Sequence, residues 1–229
     1  MYKVVVFDAY GTLFDVYSMS ELADTLFPGH GAALSTMWRD KQIEYTRLVS
    51  MADPIASEGT KHYLPFWEIT ILALRYTCER LKLELSEYQE MALMEQYAKL
   101  RVFDDCLGTL SGLKDRGISL SILSNGSQEM LNKVVKNNHM SHLFDKLISV
   151  DEVCQFKILP VTYQLVLDEY KCLKNEVLFV SCNAWDVVGA AWFGFDTYWV
   201  NRQSWPYEKI GFKPTIEAAN LLQLTHIVK

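Results

Sequence analysis

The stretch Lys3-Val4-Val5-Val6-Phe7-Asp8-Ala9-Tyr10-Gly11-Thr12 decides the fold of this chain. A run of apolar residues that stops at an acid and a glycine-containing turn is typical of a fully buried parallel strand. Similar runs return only much later, at Ile118–Leu123, Leu147–Val150, Val177–Val180 and Thr197–Val200. Helical patterns lie between them, over Cys106–Lys114, Ser127–Asn138, Val161–Tyr170 and Ala184–Trp192. Strands that alternate with helices predict an α/β fold, a parallel sheet with helices on both faces.

Residues 16–100 interrupt this alternation. Apolar residues recur at helical spacing from Leu34 and again from Phe66, and Ser86 is the predicted cap of a third helix that extends to Leu100. Asp53-Pro54 and the Ser-Glu-Gly that follows predict a loop. We therefore expect a helical cap over residues 16–100, inserted after the first strand of a core made of residues 1–15 and 101–229.

The composition is that of a globular protein whose core needs neither disulfides nor a bound metal for stability. Half of the 229 residues are hydrophobic, which excludes disorder, and the formal net charge of −6 argues against general nucleic-acid binding. No apolar run approaches the roughly 20 residues of a membrane span, and the first run stops at Asp8, so we expect neither a signal peptide nor a membrane partner. The cysteines are odd in number and lack metal-ligand spacing, which favours free thiols in a reducing cytoplasm: Cys78, Cys106, Cys154, Cys172 and Cys182.

Short polar side chains follow the predicted strands. The carboxyl ends of parallel strands meet at one edge of the sheet, where ligands bind near a topological switch point. The residues are Asp8 and Thr12 after the first strand, Ser124 and Asn125 after the second, Asp151 and Lys157 after the third, and Ser181, Asn183 and Asp186 after the fourth. An ammonium of Lys157 between Asp8 and Asp186 would keep both carboxylates ionised, as a nucleophilic Asp requires.

Each of these residues alone has a simpler interpretation. An Asp at a strand end is usually a helix cap or a turn former. Ser124 could cap the helix that begins at Ser127, Ser181 or Asn183 could cap the next one, and Lys157 could be solvated. Their combination at one sheet edge favours a site, because an unpaired buried charge is costly and a paired one is tolerable.

Four motifs, in order along nearly the whole chain, resemble those of the haloacid dehalogenase superfamily. They are Phe7–Asp15, Leu123–Gly126, Lys157 and Ser181–Asp186. Within the superfamily the chain resembles the L-2-haloacid dehalogenases. The resemblance implies a Rossmann-like core with an inserted helical cap, and a hydrolase that acts on carbon–halide bonds.

Tyr10 is the position that separates these dehalogenases from the phosphatases of the superfamily. The phosphatases carry a second Asp there, as general acid for a leaving alkoxide, whereas a halide leaving group needs no proton. The phosphatases also hold Mg²⁺ with the nucleophile, the backbone after it and a fourth-motif carboxylate, and here Asn183 replaces one acid of the usual pair. The resemblance therefore implies no metal and no cofactor.

The resemblance also assigns contacts to the substrate. Arg39, in Met37-Trp38-Arg39-Asp40-Lys41-Gln42, is similar to the family's active-site Arg on a cap helix and would attract the departing halide. Without the resemblance, Arg39 would be interpreted as a surface residue, Phe66 as cap core, and Tyr163 as a buried helical tyrosine. The other substrate and halide contacts that the resemblance implies are Tyr10, Phe66, Ser124, Asn125, Tyr163 and Trp185.

The chain departs from the family pattern after Lys157. The family usually has Pro directly after this Lys, whereas here Ile158 and Leu159 precede Pro160. Proline restricts its own φ and the residue before it, so its absence predicts a looser loop around Lys157. Cys182 stands where Ser is frequent and is not interpreted as a nucleophile.

The implied reaction is hydrolytic dehalogenation of short-chain (S)-2-haloacids to (R)-2-hydroxyacids through an aspartyl ester on Asp8. The resemblance also implies a homodimer formed through the cap. Two alternatives stay open, a superfamily phosphatase and a non-catalytic member that binds a small carboxylate or a protein. By this resemblance, Thr12 would hydrogen-bond the Asp8 carboxylate and Ser124 the substrate carboxylate. The attacking water would be positioned by Asn183, Lys157 and Asp186. Ser181 would orient Lys157 or that water.

Overall fold

One parallel sheet organises the molecule, for which the computed structural model describes residues 2–52, 61–211 and 213–228. Its strand order is β3-β2-β1-β4-β5-β6, and all neighbouring strands run parallel. The strands are β1 Val4–Phe7, β2 Ser119–Ser124, β3 Lys146–Ser149, β4 Val177–Ser181, β5 Asp196–Val200 and β6 Ile216–Ala218. The predicted α/β class and the five predicted strands are confirmed. The loop predicted at Asp53-Pro54 lies outside the described residues.

Strand β1 is central because it is apolar on both faces. It pairs with β2 on one side and with β4 on the other, and all four of its side chains are buried. The chain builds the sheet outward from β1 in one direction through β2 and β3, and then in the other through β4, β5 and β6. The switch point therefore lies at the carboxyl ends of β1 and β4, where Asp8 and Ser181 stand.

Helices of the core connect these strands. They are α5 Cys106–Lys114, α6 Gln128–Asn137, α7 Pro160–Tyr170, α8 Ala184–Phe193 and the short α9 Leu224–Ile227. Helix α8 ends at Gly194, whose φ of 109° is accessible to glycine, as its position past the helical pattern predicts. Among the helices in the described ranges, none is both long and apolar enough to cross a membrane.

The helices between β1 and α5 pack on one another. They are α1 Met19–Leu26, α2 Gly31–Ala52, α3 Phe66–Arg80 and α4 Glu87–Gln96. The chain leaves the sheet and returns to it at adjacent points, because the Asp15 N–H donates to the Arg101 carbonyl at 2.8 Å and the Phe103 N–H donates to the Leu13 carbonyl at 3.0 Å. Ser86 caps α4 in a capping box with Gln89, as its position in the sequence predicts.

Some elements differ from the prediction. The segment predicted as one helix to Leu100 ends as α-helix at Gln96 and continues as a 3-10 turn over Tyr97–Lys99. Helix α1, strand β6 and helix α9 were not predicted. Strand β6 and helix α9 span only three and four residues, too few for a periodic pattern to emerge.

Candidate active site

Asp8 lies at the carboxyl end of β1 with its carboxylate nearly buried. Its Oδ1 accepts a hydrogen bond from Lys157 Nζ at 3.1 Å. Its Oδ2 accepts from Thr12 Oγ1 at 3.0 Å and from Asn183 Nδ2 at 2.8 Å. Three donors from three different loops thus fix the orientation of a single carboxylate.

Lys157 joins two carboxylates inside the molecule. Its side chain is fully buried, and Nζ lies 3.1 Å from Asp8 Oδ1 and 2.9 Å from Asp186 Oδ2. Burial by itself lowers the pKa of Lys157, but the attraction of Asp186 and Asp8 outweighs it and raises the pKa above the ordinary value. The group is therefore an ammonium at neutral pH, as the sequence predicts from the two flanking acids.

Asp186, in the first turn of α8, is completely buried. Burial raises its pKa to about 6, although the charge of Lys157 and the hydrogen bond from Tyr163 act in the opposite direction. The Tyr163 hydroxyl donates to Asp186 Oδ1 at 2.7 Å, and burial raises the pKa of Tyr163 well above its ordinary value. Gly189 permits this contact, because a Cβ at that position would lie 2.5 Å from the Tyr163 hydroxyl.

The loop after β4 is tied to the loop after β1. The Cys182 N–H donates to Thr12 Oγ1 at 2.9 Å, and the Asn183 N–H donates to Ser181 Oγ at 3.1 Å. The Ser181 hydroxyl thus orients the backbone of Asn183, and its action on Lys157 or on water stays a prediction. Burial raises the pKa of the Cys182 thiol to about 12, so it remains protonated and a poor nucleophile.

The Asn183 amide lies against two oxygens of the loop after β1. Its Nδ2 donates to Asp8 Oδ2 at 2.8 Å and to the Tyr10 carbonyl at 3.3 Å. A neutral N–H donor thus faces both oxygens, whereas a divalent cation requires oxygen ligands around it. The donor set therefore does not fit a divalent cation. Across the described parts of the chain, no group of three or more His, Cys, Asp or Glu side chains could hold a metal.

The turn after β2 carries Ser124 and Asn125, both buried. Ser124 Oγ accepts the Gly126 N–H at 3.0 Å, so the interpretation of Ser124 as a helix cap is wrong; Ser127 caps α6 instead. Asn125 Oδ1 accepts the Lys157 N–H at 3.0 Å, which leaves its amide N–H₂ group as the available donor. A Cβ at Gly126 would lie 2.7 Å from the Tyr10 ring, so glycine lets this turn lie directly against Tyr10.

The cap places aromatic and cationic side chains over this edge. Phe66 is buried and stacks on Tyr10, with ring centroids 6.2 Å apart, so it serves as cap core and faces the predicted site. Arg39 Nη2 donates to the Tyr10 carbonyl at 3.4 Å, which excludes the interpretation of Arg39 as a purely solvent-facing residue. Within residues 2–52, 61–211 and 213–228, the buried Tyr10 hydroxyl has no hydrogen-bond partner.

Trp185 has a partner that the sequence reasoning missed. The guanidinium of Arg47, on α2, lies 5.5 Å from the centroid of the Trp185 ring, within the range of a cation–π contact. Arg47 follows Arg39 by eight residues, slightly more than two helical turns, so helical periodicity was the signal that could have found it. Two cationic side chains of α2 therefore face the loops after β1 and β4.

Comparison with known proteins identifies the family of the chain. A family model for haloacid dehalogenase-like hydrolases matches residues 2–194. The chain belongs to this family. It is 40% identical to an (S)-2-haloacid dehalogenase of Pseudomonas sp. (strain YL) over 96% of this chain and 91% of that protein.

Two solved structures resemble this haloacid dehalogenase-like hydrolase closely. A crystal structure of an L-2-haloacid dehalogenase superposes with a TM-score of 0.95 at 45% identity and covers 99% of this chain and 98% of that chain. The L-2-haloacid dehalogenase of Xanthobacter autotrophicus with chloropropionic acid covalently bound superposes with a TM-score of 0.91 at 33% identity, over 100% of this chain and 98% of that chain.

Proposed function

We infer that this hydrolase removes halide from short-chain (S)-2-haloacids and releases (R)-2-hydroxyacids. The observation that carries the inference is the environment of Asp8, a nearly buried carboxylate oriented by Lys157, Thr12 and Asn183, with Tyr10 where a phosphatase needs a second acid. The similarity to (S)-2-haloacid dehalogenases over nearly the full chain supports the same activity.

In the first half-reaction, an Asp8 carboxylate oxygen attacks the halogen-bearing carbon from the side opposite the halogen. A carbon–oxygen bond forms, the carbon–halogen bond breaks, and the halide leaves with the bonding electron pair. We propose that Arg39 and the Asn125 amide N–H₂ meet the charge that develops on the halide, and that Phe66, Tyr10 and Trp185 exclude water from it. Ser124 is proposed to hold the substrate carboxylate.

In the second half-reaction, water attacks the carbonyl carbon of the Asp8 ester. The bond from that carbon to the substrate oxygen breaks, so the 2-hydroxyacid leaves with an oxygen that belonged to Asp8, and the water oxygen remains in the carboxylate. Lys157 and Asn183 face the two oxygens of Asp8 and are placed to stabilise the developing oxyanion, where each donor contributes about 3 kcal/mol in comparable chemistry. The sum is haloacid plus water giving hydroxyacid, halide and a proton.

The decisive variant is Asp8→Asn, which removes the nucleophilic charge but keeps the shape of the side chain. We expect no halide release from L-2-chloropropionate, from a variant that keeps its fold. Asp168→Asn, an exposed substitution on α7, is the matched control and should keep the wild-type rate. Turnover retained in Asp8→Asn would contradict the covalent mechanism. Wild-type protein should release no phosphate from p-nitrophenyl phosphate with Mg²⁺.

Heavy-oxygen water separates the covalent route from direct attack by water. In a single turnover, the label should enter Asp8 and be absent from the 2-hydroxyacid. Mass spectrometry of the peptide that contains Asp8 measures this. Label found first in the product would refute the ester intermediate.

We propose that the protein forms a homodimer through the cap. Apolar side chains of α2 and α3 are exposed there, with 54% of Leu48, 74% of Met51 and 41% of Leu72 accessible, and Leu48 and Leu72 line a groove of about 540 Å³. Exposed apolar patches of this kind mark protein interfaces. Sedimentation should show a dimer, and Leu48→Glu should dissociate it. Leu173→Glu, an exposed site on the core, should leave it intact; a monomeric wild type would refute the proposal.

We propose that residues 16–100 form a cap unit and residues 1–15 and 101–229 the catalytic core. The contact between Asp15 and Arg101 supports this division, because the chain crosses between the units at that point. We also propose a cytoplasmic location, supported by the absence of disulfides among the five cysteines. Halide-releasing activity in the cytoplasmic fraction of fractionated cells tests it.

A further inference from the structure

Two consecutive backbone amides fix the loop that carries Lys157, and two different units hold them. The Lys157 N–H donates to Asn125 Oδ1, in the turn after β2, at 3.0 Å. The Phe156 N–H donates to Ser50 Oγ, on the cap helix α2, at 3.0 Å. One anchor therefore belongs to the core and the other to the cap.

The side chain of Phe156 is also held by the cap. It is completely buried, and its ring stacks on Tyr63 with centroids 5.2 Å apart and meets Phe66 edge-on at 6.3 Å. The Tyr63 hydroxyl donates to Asp151, at the start of the same loop. The cap thus contacts the loop between β3 and α7 at three groups: the Phe156 backbone N–H, the Phe156 ring and the Asp151 carboxylate.

Ser50 has an unusual partner for a helical serine. Serine hydroxyls inside helices commonly bond to the carbonyl one turn earlier in their own helix. Ser50 is instead buried and accepts a hydrogen bond from a residue 106 positions later in the chain. Its acceptor oxygen satisfies a buried backbone N–H that would otherwise lack a partner.

We propose that Ser50 is a positioning residue for Lys157, through which the cap supplies the rigidity that a proline after this Lys would otherwise give. Lys157 must reach Asp8 and Asp186 at the same time, at 3.1 and 2.9 Å, and its side chain is fully buried. Position 158 is Ile and restricts the backbone less than Pro does. A cap that is displaced from the core therefore loosens Lys157. This inference rests on the proposed dehalogenase function.

Ser50→Ala tests the proposal, with Ser35→Ala as matched control. Ser35 lies on the same helix and is equally buried, but its hydroxyl has no hydrogen-bond partner within the described chain. Loss of one hydrogen bond of ordinary strength corresponds to about a five- to tenfold decrease in kcat for Ser50→Ala, with KM within twofold. Ser35→Ala should keep wild-type values of both.

The pH profile separates positioning from general stability. Lys157, Tyr163 and Asp8 are the titratable groups around Asp186, and only Lys157 opposes the effect of burial with a positive charge. A looser Lys157 lets the pKa of Asp186 rise, so the acid limb of kcat should move to higher pH in Ser50→Ala alone. Loss of folded protein would lower the amplitude of the profile without moving the limb.

Two further measurements keep the test decisive. Ser50→Cys retains the shape of the side chain with a weaker acceptor, and should lie between wild type and Ser50→Ala. Hydrogen exchange at the Phe156 amide should accelerate in Ser50→Ala and not in Ser35→Ala. Wild-type kcat, acid limb and exchange in both Ser50 variants would overturn the inference. A wild-type protein that releases no halide from any 2-haloacid would instead overturn the proposed function, while the exchange measurement still reports on Ser50.

Discussion

Replacing Tyr163 by Phe removes one hydrogen bond from a buried carboxylate and should move the pH at which the enzyme becomes active. The hydroxyl donates to Asp186 Oδ1 at 2.7 Å, and the pKa of Asp186 is raised to about 6 by burial. Asp186 Oδ2 accepts a hydrogen bond from Lys157 Nζ at 2.9 Å, and we expect this contact to hold Lys157 in position only while Asp186 is ionised. The wild-type kcat should therefore fall as the pH decreases through about 6.

The size of the shift follows from the two protonation states of Asp186. A hydrogen bond to a charged group contributes about 1.5–3 kcal/mol and one to a neutral group about 1 kcal/mol. The variant thus disfavours the ionised form by about 0.5–2 kcal/mol more than the neutral form. Because 1.36 kcal/mol corresponds to one pKa unit, the acid limb of kcat should move upward by about one pH unit, to about pH 7.

Stability should change with the corresponding sign. The pKa of Asp186 in the folded protein lies above the ordinary value, so its contribution to the unfolding free energy is complete below about pH 4 and is lost as the pH rises through 6. Tyr163→Phe should therefore lower the unfolding free energy by about 1–3 kcal/mol at pH 8, and by about 1 kcal/mol less at pH 5.

The assay is halide release from L-2-chloropropionate between pH 5 and 9, together with urea unfolding at pH 5 and 8. Tyr170→Phe is the control, because it removes a hydroxyl from the same helix about 10 Å further along the axis. An acid limb that stays near pH 6 in folded Tyr163→Phe would refute Asp186 as the titrating group.

Two other substitutions test the edges of the site. Arg47→Gln removes the exposed cation beside Trp185, so KM for the anionic substrate should rise about two- to fivefold at low salt, with kcat within twofold. An unchanged KM at low ionic strength would show that Arg47 does not attract the substrate. Asn183→Asp places a third carboxylate between Asp8 and the Tyr10 carbonyl, where oxygen ligands suit Mg²⁺. Halide release should fall by more than about a hundredfold, and calorimetry should detect Mg²⁺ binding to the variant but not to the wild type.

The sequence predicted those strands in which every side chain is buried, because they are written as unbroken apolar runs. Strands β1 and β4 are apolar on both faces, so their residues read as unbroken runs, and the polar residues that follow them had to meet at the sheet edge. Lys157 was predictable for an electrostatic reason, since two buried acids at one sheet edge require a cation between them.

Contacts between cap and core left no comparable pattern. The hydrogen bond from Phe156 to Ser50 joins a loop to a helix 106 residues earlier, and it depends on the rotation of α2 about its axis and on the angle at which the cap lies on the sheet. A buried serine in an amphipathic helix reads as a minor irregularity. Arg47 likewise was not identified from the sequence, because its contact with Trp185 depends on how the cap lies on the core.

The wide sequence separation of Asp8, Lys157 and Asp186 has a consequence for how the protein acquires activity. Their ion pairs close loops of 149 and 29 residues, and the long loop cannot close before the cap and the first half of the core have been synthesised. Until then a folded fragment would have to bury carboxylates without their counter-charge, which opposes stable partial structures around this edge. Recovery of halide release during refolding should therefore coincide with the last step of global folding, because the three side chains pair only when the segments that carry them have folded together.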